Sequence, residues 1–307
     1  MGSMHMNLNH HLNLLWRFDR GLCLKEVVLG TVREGDVVVD AGCGTGVLSL
    51  WAAKAGARKV YAVDMAANDV GEALAEANGV KDKIAFVRGD LAGFHLPDGG
   101  RCDVLLAMVY FNDPRRDAAQ MALTFRLRER LLRAGGAQIP NRVRYTAQIM
   151  DWPTQDVGER LAEIDRRVSI MEDRYDLKLG PMSEAAKRTP DGSWFPSRLE
   201  SGAVERRDAR ILSERITLSD VDYAGEFHGY PDRLRCRIKN PGIATAVLFT
   251  QELYAGTRLV FANESVSWLE SPRRVESECD LELALDRTWF TSNRIATDVV
   301  PPASVRK

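Results

Sequence analysis

Cysteine is sparse and unordered in this chain. Cys23, Cys43, Cys102, Cys236 and Cys279 are odd in number and show no Cys-x-x-Cys spacing. That argues against a disulfide framework and a zinc site, and for reduced thiols in a cytoplasmic setting. Net charge is almost absent too, since 42 basic and 43 acidic side chains leave −1. Such a balance creates no field to gather nucleic acid or an anionic membrane surface, so neither is expected as a partner. No apolar run approaches the ~20 residues of a membrane span, and no secretory leader is apparent. Histidine is scarce as well, and the adjacent His10 and His11 do not share a helix face, so no metal site is expected.

What the chain does contain is enough apolar residue to build a sizeable core: 45% of its 307 residues are hydrophobic and 28% charged, the balance of a globular protein. Up to about residue 140, short apolar runs alternate with helical patterns. "DVVVDAG", "KVYAVD", "KIAFVRGD" and "CDVLLAMVYF" read as four strands. "GVLSLWAAKAGA" and "DVGEALAEANGV" read as helices closed by Gly56 and by Asn78-Gly79, and Asp113-Pro114 opens a long helix running to Gly135-Gly136. This alternation implies a mostly parallel sheet covered by helices. After Pro140 the period switches to two. "RVRYTAQIM", "RLRCRIK" and "ECDLELAL" each place apolar side chains on one face and charged ones on the other, which implies antiparallel strands with one wet face. The expected organisation is a Rossmann-like domain over 1–140, with an N-terminal helical segment, and a β-rich substrate domain over 141–307 interrupted by a polar, partly helical excursion at about 152–200.

The first strand ends in "DAGCGTG", with Asp40, Gly42, Gly44 and Gly46 on alternate positions. Glycines after a first strand let the backbone turn tightly and approach a ligand. A dinucleotide fingerprint is Gly-x-Gly-x-x-Gly. Here the third glycine comes one residue early and an acid sits inside the motif, a poor neighbour for a pyrophosphate. The second strand ends in Asp64, placed to accept from ribose hydroxyls, and the third in Asp90, placed to receive an exocyclic amine of adenine. Acids at three strand ends fit S-adenosylmethionine, whose ammonium and sulfonium are positive. Cys43 in the loop, Met65 and Leu91 after the second and third acids, and Met108 in the second half of the fourth strand complete the expected cofactor lining.

"VVVDAGCGTGVLSLWAAKAGARKVYAVD", Val37 to Asp64, resembles the first two cofactor motifs of the protein arginine methyltransferase family, with "WAAKAGARKV" the most characteristic part. More weakly, "RERLLRAGGAQIPNRV" resembles the family's helix and strand before its β-barrel, "YDLKLGPMSEAA" its dimerisation arm, and "SVSWLESP" its late Thr-His-Trp loop. The resemblance implies a class I methyltransferase domain followed by an antiparallel β-barrel with a helical dimerisation arm, and a homodimer. It also assigns Asp40, Gly42, Gly44 and Gly46 to the methionine end of the cofactor, Asp64 to the ribose and Asp90 to the adenine.

The departures bear on the acceptor. Family members hold a guanidinium with two glutamates after the fourth strand, where this chain reads "LLAMVYFNDPRRDAAQ": Met108 replaces the first, and Asp117 or Ala118 the second. Leu29 stands where the family's carboxylate-binding arginine would be, and Ser267 precedes Trp268 where the Thr-His-Trp histidine would be. An apolar Met108 offers a planar cation no bidentate partner. The remaining candidate acids for catalysis are Asp113, Asp117 and Glu270, with Tyr110, Asn112 and Trp268 as candidate acceptor-binding residues. Arg17 and Arg20 are candidates to meet the cofactor carboxylate from an N-terminal helix laid over it. The expected activity is methyl transfer to an amine or guanidine nitrogen of a small molecule or peptide; the Arg- and Ala-rich composition suits a high-GC bacterium, in which a biosynthetic or tailoring role is expected. The alternatives are methylation of free or peptidyl arginine with rearranged acids, and a non-catalytic S-adenosylmethionine-binding regulator.

Overall fold

The computed structural model describes residues 8–66, 68–111, 114–151, 165–166, 168–174, 176, 178–181, 209–226, 230–285 and 294–300. They form two compact units. The first is discontinuous in sequence, comprising residues 1–145, 219–229 and 251–263; the second comprises 146–218, 230–250 and 264–307.

The first unit opens with two helices, α1 (Leu8–Trp16) and α2 (Phe18–Thr31), where the sequence suggested one; the break falls at Arg17, whose ψ of 81° is not helical. Then come β1 (Val37–Ala41), α3 (Val47–Lys54), β2 (Lys59–Asp64), α4 (Asp69–Ala77), β3 (Ile84–Arg88), β4 (Cys102–Leu106), α5 (Pro114–Leu131) and β5 (Leu132–Ile139). The strands form a sheet in the order β3–β2–β1–β4–β5, parallel at every pairing. The alternating strand–helix order dictates this, because a parallel neighbour requires a crossover. The order reverses beside β1, the place where open α/β sheets bind ligands at their carboxyl ends. Val39, Ala41, Val63 and Leu105 of the sheet, with Ala107 just beyond β4, pack with Leu127 and Leu131 of α5 into one buried cluster.

Two elements differ from the sequence reading. The fourth strand stops at Leu106, so Met108 to Phe111 lie beyond it in the loop that leads to α5. The long helix ends at Leu131 rather than at Gly135-Gly136, and both glycines lie within β5. Gly135 has φ +71°, and the β4–β5 register jumps between Cys102 and Val104. A Cβ on Gly136 would stand 2.8 Å from the Asp103 carbonyl. The pair therefore serves an irregular strand, not a helix terminus.

Further strands are β6 (Arg142–Asp151), β7 (Arg210–Ile211), β8 (Ile216–Asp222), β9 (Arg233–Arg237), β10 (Gly242–Ala255), β11 (Arg258–Val275), β12 (Asp280–Ala284) and β13 (Arg294–Val300). Their sheet runs β7–β6–β10–β11–β13–β12–β9, with β8 paired to β6. β12 is antiparallel to both β9 and β13, as β6 is to β7, whereas β11 and β13 pair in parallel. Met150, Ala246, Leu248 and Val266 form a buried cluster of the second unit. The alternation read in β9 and β12 is realised: Leu234, Cys236, Leu281 and Leu283 are buried, while Arg235 and Arg237 meet Asp280 and Glu278 across the strands at 2.8 Å. Most of the arm expected at 152–200 lies outside the described residues.

Candidate active site

The site is built from the carboxyl ends of β1, β2 and β3 upward. Asp40 follows three valines on β1, sits opposite Ala62 and Leu106 on the neighbouring strands, and is only 2% exposed. Ser49 of α3, itself fully buried, donates from Oγ to Asp40 Oδ2 at 2.7 Å. Burial disfavours the charged carboxylate and pushes the Asp40 pKa up to about 6, with the Ser49 hydrogen bond opposing that shift and the charge of Asp64 adding to it. A cationic group set beside Asp40 would offset this cost.

The loop between β1 and α3 is a backbone cradle. Gly42, Gly44 and Gly46 have φ of +72°, +53° and +77°, a region costly for any residue with a Cβ. Each is also crowded by a side chain. A Cβ on Gly42 would stand 2.9 Å from Val109 Cγ1, one on Gly46 would stand 2.9 Å from Phe86, and one on Gly44 would strike the His11 imidazole. Asp64 closes the loop from β2, accepting from Gly44 N at 3.0 Å and from Ala66 N at 2.9 Å. Asn68, the N-cap of α4, accepts from Gly71 N at 2.9 Å and donates from Nδ2 to Gly44 O at 2.7 Å and to Cys43 Sγ at 3.4 Å. The Cys43 thiol is pushed well up, first by burial and then by Asp40 and Asp64, so it is a packing group and not a nucleophile.

The other sequence-predicted residues divide. Asp90 is exposed after β3 and accepts from Ala92 N at 2.9 Å. Met65 is exposed beside Asp64, whereas the Leu91 side chain turns into the buried cluster of the sheet. Met108 is half-buried in the loop after β4. Tyr110 is hydrogen-bonded through its hydroxyl to Tyr223, and burial raises its pKa well above the usual phenol value. Asp117 is fully buried on the first turn of α5. It accepts from Phe111 N at 2.7 Å, from Gln251 Nε2 at 2.9 Å and from the Tyr145 hydroxyl. Asn112 and Asp113 lie outside the described residues. Trp268 and Glu270 belong to β11, but their side chains lie outside the described residues.

Four contributors went unnoticed in the sequence, Ser49, Asn68, Phe86 and Val109, and His11, weighed there only as a metal ligand, packs on the cradle. Asn68 carried a readable signal, an Asn directly before a helical pattern. The others touch the loop only through tertiary packing.

Residues 38–136 match the family model described as a methyltransferase domain. The chain is 38% identical over 200 residues to Protein arginine N-methyltransferase PRMT10 of Oryza sativa subsp. japonica, covering 62% of this chain and 50% of that one. It is 32% identical over 162 residues to Ribosomal protein arginine N-methyltransferase rmt3 of Schizosaccharomyces pombe, covering 50% of this chain and 26% of the relative. The chain thus spans half or less of the length of these relatives. Among solved structures, Arabidopsis thaliana protein arginine methyltransferase 10 superposes with a TM-score of 0.66 at 16% identity, covering 97% of this chain and 95% of that one. The Trypanosoma brucei PRMT1 enzyme-prozyme heterotetrameric complex with AdoHcy superposes with a TM-score of 0.67 at 18% identity, covering 98% and 95%. The chain therefore carries a class I methyltransferase domain within the fold of the protein arginine methyltransferases.

Proposed function

We propose that the protein is an S-adenosylmethionine-dependent N-methyltransferase acting on an amine or guanidine nitrogen of a small molecule or peptide. One observation carries this reading: a buried carboxylate, Asp40, stands at the carboxyl end of β1 beneath a glycine cradle, with Asp64 at the end of β2 and Asp90 two residues beyond β3. When bound, the cofactor supplies an electrophilic methyl group on a sulfonium. Asp40 would meet the ammonium of its methionine part, Asp64 the ribose and Asp90 the adenine amine. Methyl transfer is an in-line displacement that asks the protein chiefly for alignment and exclusion of water. The segment after β4, held against Gly42 through Val109, supplies that alignment.

The named relatives are arginine methyltransferases, and that supports a guanidine acceptor as the second reading. Against it stands Asp117, the acid nearest to a guanidinium clamp in sequence. It is fully buried, and its oxygens already accept from Phe111, Tyr145 and Gln251. A homodimer is part of the proposal, supported by the exposed apolar side chains of Leu12 and Trp16 on α1 and of Phe18 and Leu22 on α2. Among the described residues, no helix is long and apolar enough to cross a membrane.

The test is calorimetric titration with S-adenosylhomocysteine, then with arginine, an arginine-containing peptide and simple amines on the loaded protein. Cofactor-product binding supports the reading, and uptake of arginine selects the guanidine branch. Absence of S-adenosylhomocysteine binding overturns the assignment built on Asp40 to Gly46.

A further inference from the structure

Asp40 on β1 and Ser49 on the first turn of α3 face each other across the glycine cradle. α3 begins without a side-chain cap. Its N-cap is Gly46, left-handed at φ +77°, which has no side chain to offer the first helical amides. Ser49 is the third helical residue. A serine there ordinarily turns its hydroxyl to nearby backbone of its own segment. This one donates from Oγ to Asp40 Oδ2 at 2.7 Å, with the serine fully buried and the aspartate 2% exposed. The bond therefore runs from helix to strand. Fixing Oδ2 on α3 sets the plane of the carboxyl and leaves Oδ1 to meet a cation in the cradle.

The other surroundings of Asp40 do not favour its charge. Its register neighbours, Ala62 on β2 and Leu106 on β4, are apolar. Asp64 at the end of β2 is a like charge, and burial above all keeps the Cys43 thiol of the loop protonated. α1 sets His11 on Gly44 of the same cradle. Burial pushes the Asp40 pKa up to about 6; the Ser49 hydroxyl and then the Ser49 backbone N–H oppose that rise, and the charge of Asp64 adds to it. Removing a hydrogen bond that favours the ionised form moves the pKa further up. An Asp40 left protonated near neutral pH offers an ammonium no charge.

We propose that Ser49 is the positioning residue for the cofactor's ammonium: by holding Asp40 Oδ2 it keeps the carboxyl ionised and oriented, and so sets the pH below which the cofactor is released. The inference rests on the methyltransferase reading above. Ser49 acts through Asp40 and on no reacting atom.

Calorimetric titration of S-adenosylhomocysteine between pH 5 and pH 9 tests this in the parent and in Ser49→Ala. Loss of a hydrogen bond to an ionised group should move the midpoint of the affinity loss up by about one pH unit, from about 6. Ser49→Ala should then bind about fivefold more weakly than the parent at pH 6 and within about twofold of it at pH 8.5, because only the ionised fraction is competent. 5′-Methylthioadenosine, which lacks the ammonium, should bind parent and variant alike. In an Asp40→Asn background Ser49→Ala should cause no further loss, and in a His11→Gln background the upward move should persist. Ser49→Cys, with a weaker donor, should fall between parent and Ser49→Ala, and it carries the test if the alanine variant does not fold.

The ligand-free protein gives a separate readout. The carbon-13 carboxyl resonance that vanishes in Asp40→Asn should titrate at higher pH in Ser49→Ala. Coincident affinity profiles in parent and variant overturn the proposal. So does an equal loss of 5′-methylthioadenosine affinity, because the hydroxyl then serves packing alone. If S-adenosylhomocysteine does not bind the parent, the methyltransferase reading falls, and the carboxyl titration still decides whether Ser49 governs the charge of Asp40.

Discussion

Ser49 Oγ donates to Asp40 Oδ2 at 2.7 Å, and both side chains are sealed from water. Burial raises the Asp40 pKa to about 6 despite that bond. A carboxyl raised in the folded state contributes stability below its unfolded pKa and loses that contribution as pH rises through about 6. Asp40→Asn should therefore unfold at higher urea than the parent at pH 7.5, by up to about 3 kcal/mol, and the advantage should shrink toward pH 5. A cation beside Asp40 requires the ionised form, so S-adenosylhomocysteine affinity should fall as pH drops through about 6, with proton release on binding in calorimetry near that pH. Affinity that stays level from pH 8 to pH 5 would refute the role given to Asp40.

The buried Asp117 is a second point of stress. Asp117→Ala would strand the donors of Phe111, Tyr145 and Gln251 in the interior, at a cost of about 3–5 kcal/mol in urea unfolding. Tyr145→Phe removes the donor to Asp117 and the acceptor of Gln251 Nε2, leaves the other two donors of Asp117 in place, and should cost about 1–2 kcal/mol. Equal losses in the two variants would show that Asp117 depends on Tyr145 alone.

Glycine substitutions separate backbone strain from the cradle. Gly42, Gly46 and Gly79 all have φ between +68° and +77°. A Cβ on Gly79 meets open space, whereas Gly42 faces Val109 and Gly46 faces Phe86 at 2.9 Å. Each change to Ala should cost about 1 kcal/mol or more in stability. Only the changes at Gly42 and Gly46 should also abolish S-adenosylhomocysteine binding. Normal binding by Gly42→Ala would place the ligand elsewhere.

The exposed charge ladder between β9 and β12 should matter little. A double-mutant cycle on Arg235 and Asp280 is expected to give a coupling of about 0.2–1 kcal/mol at low salt, vanishing at 1 M. A coupling well above this range, insensitive to salt, would mark the pair as structurally essential.

Much of the first unit was legible in the sequence because its signals are local. Apolar runs of strand length end in acids or glycines, and Gly56 and Asn78-Gly79 close helices through conformations that few other residues tolerate. The positive φ values of Gly42, Gly44 and Gly46 follow the same logic. Gly135-Gly136 looks like a helix terminus, but pairing with β4 carried the chain into a strand from Leu132, and the glycines absorb the resulting irregularity.

By itself, then, the sequence determined the parallel sheet, the cradle and the acids at three strand ends, since period, turn chemistry and strand termini are written in neighbouring residues. Only the tertiary structure decided what those residues meet. It set Ser49 against Asp40, His11 on Gly44 and Val109 on Gly42. It also closed Asp117 behind Tyr145 and Gln251, which are 28 and 134 residues away along the chain. Contacts at such separations depend on how strands and helices pack, and no local pattern encodes which side chain will arrive.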